Sequence, residues 1–189
     1  MYYRLLTLVA LVLLHCPVFS QRVFINGKEG DRPLSWNDFK GSPDDASPFG
    51  AYTFTNFRTK GENFTFKGDS VKFDKPVEYW VELGTNSWVK KDKRTDTLLQ
   101  HEEGHFIIGK LLVLELNARM RTTVFLKSNY KQLLISIPKE VAAKYQALEK
   151  MYDKETDHSK NRSQQWKWNQ FLQSELVRLK TGSNADGSL

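Results

Sequence analysis

The order of parts along the chain predicts an α+β fold, with strands gathered in the first half and helices in the second. Two observations carry this. Between residues 51 and 83, aromatic and branched residues alternate with polar ones at a period of two. After Lys93 the period lengthens to that of a helix, through a stretch that holds no proline and only two glycines, Gly104 and Gly109.

The first twenty residues stand apart from the fold. Arg4 is followed by the apolar run LLTLVALVLL and then by Val18-Phe19-Ser20 before Gln21, the layout of a secretory signal peptide. One domain is therefore expected over residues 21–180, exported to the periplasm or out of the cell. Cys16 follows a histidine where a lipid-attachment site calls for a small residue, which argues against a lipoprotein. Cleavage after Ser20 leaves no cysteine, so disulfides, a thiolate nucleophile and cysteine-ligated zinc are excluded. The most apolar later stretch, FIIGKLLVLEL, is interrupted by Lys110 and Glu115, and no membrane span is expected in the mature chain. The net charge of +6 loses one unit with Arg4 and is spread along the chain. Its one dense run, Lys90-Lys91-Asp92-Lys93-Arg94, lacks interleaved aromatics, so no nucleic-acid partner is expected.

Within the first half, residues 51–57 and 63–67 flank Lys60-Gly61-Glu62 and read as a hairpin. Residues 77–83 place Val77, Tyr79, Val81 and Leu83 on one face and Glu78, Trp80 and Glu82 on the other. An N-terminal antiparallel sheet is the expected result. Pro33 and Pro43 bracket a short segment, with Trp36 and Phe39, that reads as an edge piece.

Three helices follow. Thr95-Asp96-Thr97 offers an N-cap for a first helix over 96–125, whose middle, 106–116, is apolar nearly all round, as for a helix buried between other elements. Pro138 suits the first turn of a second helix, ending near Tyr152, and a third is expected over 163–179. Residues 181–189 are small and polar and are expected to form a disordered tail.

The chemistry is concentrated in LQHEEGHF, residues 99–106. On a helix, His101 and His105 lie four apart on one face and can both direct ring nitrogens at a single zinc ion. Glu102, one step around, can accept a proton from a water that the metal activates, which suits metal-assisted hydrolysis. His101, His105, Ile108 and Leu112 share one stripe, so the histidines face the core. The competing reading is a pair of core histidines satisfied by hydrogen bonds. Gly104 and Gly109 can let substrate or another backbone approach.

A catalytic zinc takes three protein ligands, and Glu115 is too far along the same helix to be the third. His158 is the only other histidine after residue 20 and is the leading candidate, with Asp153, Glu155 and Asp157 as alternatives. Tyr152 can donate to a transition-state oxyanion as a catalytic residue, or serve only in packing.

Three stretches together, Leu34-Ser35-Trp36-Asn37-Asp38-Phe39-Lys40-Gly41, then LLQHEEGHF, then Tyr152-Asp153 with Thr156 and His158 followed by Gln165 and Trp168, resemble a bacterial domain family of predicted secreted zinc-dependent proteases of otherwise unassigned role. The resemblance covers nearly all of the chain after residue 20. It implies His101, His105 and His158 as ligands of one Zn2+ and Glu102 as the base. The sequence departs from it at Ser159, where relatives tend to have glycine. The expectation is a zincin-like α+β zinc metallopeptidase, a monomer acting on a peptide or protein substrate. The alternatives are a zinc-binding envelope or interaction protein without catalysis, and a hydrolase of cell-wall peptide crosslinks.

Overall fold

A computed structural model describes residues 21–181. The expected signal peptide, Cys16 and residues 182–189 lie outside the described residues. Strands β1 (Val23–Ile25), β2 (Lys28–Glu29), β3 (Ala51–Tyr52), β4 (Thr55–Thr59), β5 (Phe64–Lys67), β6 (Ser70–Phe73), β7 (Tyr79–Leu83) and β8 (Trp88–Val89) precede helices α1 (Asp96–Thr122), α2 (Tyr130–Thr156) and α3 (Arg162–Thr181). The fold is therefore α+β. Among the described residues no helix is long and apolar enough to cross a membrane.

The main sheet has the order β2-β1-β7-β4. It is mixed, and this corrects the all-antiparallel expectation: β1 runs parallel to β7, while β4 and β2 are antiparallel to their neighbours. The long excursion between β1 and β7 gives the chain room for a parallel crossover. Asn26-Gly27, both at positive φ, makes the tight turn from β1 to β2.

The hairpin expected between 51–57 and 63–67 does not form. β3 pairs with β8, β4 pairs with β7, and β5 pairs with β6 through a turn at Gly68, which has φ 59°. A break at Thr53-Phe54 separates β3 from β4, because the Thr53 hydroxyl turns to Glu102 and the Phe54 N–H donates to Ser87 Oγ at 2.9 Å. The edge piece around Trp36 and Phe39 takes the form of a 3-10 turn, Trp36–Asp38, which Asp38 caps from inside by accepting from the Ser35 N–H at 2.8 Å.

α1 starts as its cap residues predict, with the Thr95 hydroxyl accepting from the Leu98 N–H. Phe106, Ile108, Leu111 and Val113 are all buried, so the helix is enclosed on nearly every side. Its sheet-facing contact is at Gly109, where an added Cβ would meet Thr55 Cγ2 at 2.8 Å and Val81 Cγ2 at 3.3 Å. Side chains, rather than substrate or another backbone, use that space. The helix ends at Thr122, short of Phe125, whose carbonyl instead accepts from the Val71 N–H at 2.8 Å.

α2 opens at Tyr130, eight residues before Pro138, which lies inside the helix. Proline there forfeits one backbone hydrogen bond, at a typical cost of about 3 kcal/mol. Burial of Ile137, with Leu133, Leu134 and Tyr130 packed against the core, offsets it. α3 closes behind, burying Trp168, Leu172 and Leu176, and it includes Thr181, which the sequence assigned to the tail.

Candidate metal centre and its cleft

His101 is buried on α1, and His105 follows one turn later, partly open to a cleft. Their Nε2 atoms are 3.2 Å apart. The Oδ1 atom of Asp153, on α2, lies 3.2 Å from His101 Nε2 and 3.1 Å from His105 Nε2. His158 Nδ1 approaches the same oxygen to 3.3 Å. His101, Asp153 and His158 each offer a ligand atom within 4.8 Å of the other two.

The protonation of this cluster follows from its hydrogen bonds. The Tyr152 hydroxyl donates its one proton to the His101 carbonyl at 3.0 Å, so it can only accept from Gln165 Nε2, at 2.7 Å. The other Gln165 N–H goes to Asn169 Oδ1 at 2.8 Å. Gln165 therefore presents Oε1 to His101 Nδ1, at 3.1 Å, and Nδ1 must carry the proton. His105 Nδ1 is engaged in the same way by the Glu149 carboxylate. In the neutral, metal-binding form each imidazole would then aim a lone pair from Nε2 toward the Asp153 oxygen.

Three acceptor atoms packed this closely repel one another unless a positive charge sits among them. Burial alone would lower the His105 pKa, but Asp153 and Glu149 outweigh it and hold the ring up to about 10. Burial would likewise raise the Asp153 carboxyl, yet His101 and His105 hold it well below the usual carboxylate range. Although three ring nitrogens surround Oδ1 at contact distance, it is buried without a hydrogen bond of proper geometry. Ligand atoms about 2.0–2.1 Å from a tetrahedral zinc are about 3.3 Å from one another. The observed spacings fit that polyhedron. Each histidine also donates its second ring nitrogen to an outer acceptor, as metal-bound imidazoles commonly do.

Glu102 is buried at the side of the cluster and lines the same cavity as the histidines. Thr53 Oγ1 donates to its Oε2 at 2.7 Å, which fixes the carboxylate from the β3–β4 break. Burial pushes its pKa up, with His105 and Thr53 opposing.

His158 reaches the site through an unusual turn. Asp157, His158 and Ser159 all take left-handed φ values, of 46°, 49° and 76°. The His158 ring rests against Phe49, with centroids 4.7 Å apart. Three successive residues without glycine in that region carry strain, and such strain concentrates at functional segments.

Tyr152 is not brought to the cleft. It is fully buried, its ring stacks on His101 at 4.7 Å, and its hydroxyl is committed to the His101 carbonyl and Gln165. An oxyanion donor must face the reacting atoms, so the structure places Tyr152 behind the histidine as a positioning residue. This also accounts for Gly104: a Cβ there would stand 2.1 Å from the Tyr152 hydroxyl.

Glu149 and Thr53 escaped sequence reasoning, and Asp153 ranked behind His158. The available signal was the spacing of Glu149 and Asp153, four apart on α2, which mirrors His101 and His105 on the helix it packs against.

A cavity of about 600 Å3 opens over the cluster, floored by α1 and walled by α2 on one side and by β4 and residues 48–53 on the other. It runs from Leu98 to Leu112. At about 1.5 Å per residue this is about 21 Å, the length of roughly six residues of extended chain. No family model matches this chain, and neither the curated proteins nor the solved structures contain a match to it.

Proposed function

We propose that the chain is an exported zinc-dependent metallopeptidase. The observation that carries the reading is the convergence of His101 Nε2, His105 Nε2 and Asp153 Oδ1 at mutual distances of 3.1–3.2 Å, at the floor of an open cleft. These three are the ligands we assign. His158, expected from sequence as the third, reaches Asp153 from the exposed side and is assigned as a partner of that carboxylate outside the ligand set, which leaves the fourth position for water.

Zinc in that position supplies a Lewis acid that polarises a carbonyl and makes water more acidic. The residues of the chain do the rest. Glu102, held by Thr53, takes a proton from the attacking water as the new C–O bond forms. It returns the proton to the amide nitrogen as the C–N bond breaks. Gln165 and Glu149 keep the ring protons of His101 and His105 on the side away from the cleft. A cleft about six residues long suits an extended peptide better than a small molecule, and the secretory layout of residues 1–20 supports export.

Glu102→Gln separates a peptidase from a protein that merely carries zinc, because zinc binding does not need this carboxylate. The variant should keep its zinc and lose peptide hydrolysis by at least about 100-fold, the usual scale of general-base catalysis. Cleavage of a mixed peptide library at the wild-type rate would rule out the mechanism.

A further inference from the structure

The cleft is not the same at its two ends. On the Leu98 side it is bordered by Phe49, His158 and Lys160, so a cation and an imidazole stand at the rim. Beyond His105 the boundary changes to Phe57, Ile108, Leu112 and Tyr145. Of the polar groups at that second end, the Tyr145 hydroxyl donates to Glu115 Oε2 at 2.9 Å and the Glu149 carboxylate is bound to His105, while the exposed Gln146 amide stands at the edge. Gly109 falls between His105 and Leu112 on the cleft stripe, and the Thr55 methyl of β4 lies directly over it, so that side chain borders the floor there.

We infer that this second end is a specificity pocket that takes a bulky apolar side chain, such as leucine, phenylalanine or methionine, from the residue next to the hydrolysed bond. The inference rests on the metallopeptidase reading and names the substrate class for it. An apolar side chain entering there leaves water for Ile108, Leu112 and the Phe57 ring. A carboxylate or ammonium would lose its hydration and meet no free opposite charge, only the neutral Gln146 amide at the edge. Phe57 is the specificity-determining residue open to substitution, because it is 45% exposed and contributes little to the core.

The test measures binding of hydroxamates to the zinc-loaded protein by titration calorimetry, with acetohydroxamate as the member that lacks a side chain. The N-acetyl-leucine and N-acetyl-phenylalanine hydroxamates should bind at least about tenfold more tightly than acetohydroxamate, while the N-acetyl-aspartate hydroxamate gains nothing. In Phe57→Glu the ratio of leucine to aspartate affinity should fall by at least about tenfold. Equal affinities across the series, with acetohydroxamate bound, would overturn the pocket and leave the metal centre standing. Failure of every member, acetohydroxamate included, to bind protein shown to carry zinc would overturn the pocket and the peptidase reading together.

Discussion

At His101 the position of one proton decides what the imidazole can hold. The chain fixes it by elimination: the His101 carbonyl takes the Tyr152 proton, Tyr152 takes one Gln165 N–H, and Gln165 is left with an oxygen to offer Nδ1. Gln165→Leu removes the middle of that relay. Zinc affinity, measured by competition with a chromophoric chelator, should fall about 10–100-fold, the usual effect of losing an outer partner of a metal ligand. Unchanged affinity would mean that the relay is only packing. The histidine pair was legible because four-residue spacing on a capped helix admits one geometry. Tyr152 was not, because whether a tyrosine faces a cleft or a core depends on what packs above it, and here Gly104 makes room for it in the core.

At the scale of elements, the turn after α2, which carries His158, concentrates backbone strain. Ser159 sits at φ 76°, a conformation that typically costs a non-glycine residue about 1–2 kcal/mol. Ser159→Gly should stabilise the protein by up to about 1 kcal/mol, part of the relief being returned to the greater freedom of glycine when unfolded. The melting temperature would rise by about 2–4 °C. A lower melting temperature would contradict the strain argument. The Trp36–Asp38 turn gives a second prediction. The Arg32 guanidinium, with Ser35 assisting and burial opposing, holds the Asp38 carboxyl down to about 2. A lowered carboxyl pKa adds stability that is complete above the unfolded value of about 3.9 and is lost as pH falls through about 2. Arg32 is half exposed, so solvent screening reduces this to about 1 kcal/mol. Asp38→Asn should therefore flatten the fall in melting temperature between about pH 4 and pH 2; an undiminished fall would assign the acid sensitivity elsewhere.

Element existence was more legible than element pairing. Period two identifies the buried face of β7, where Val81 and Leu83 are fully enclosed, but it does not say which strand lies alongside. β4 therefore took β7 as partner, and the expected hairpin was lost. Pro138 suits a helix start by local preference alone, but packing of Ile137 and Leu133 against the core carries α2 upstream to Tyr130.

Across the whole molecule, two antiparallel helices bring an i, i+4 pair from each to one crossing. α1 supplies His101 and His105, and α2 supplies Asp153 at the point itself and Glu149 behind His105. Sheet and cleft follow from that crossing, since β4 lies across α1 at Gly109 and borders the groove where a substrate would lie. The most direct test is the zinc content of the folded protein after reconstitution and dialysis, determined by plasma mass spectrometry beside Asp153→Ala. The expected result is about one zinc per wild-type chain and almost none in the variant. A folded wild-type protein without zinc, or an Asp153→Ala protein that holds as much as wild type, would contradict it.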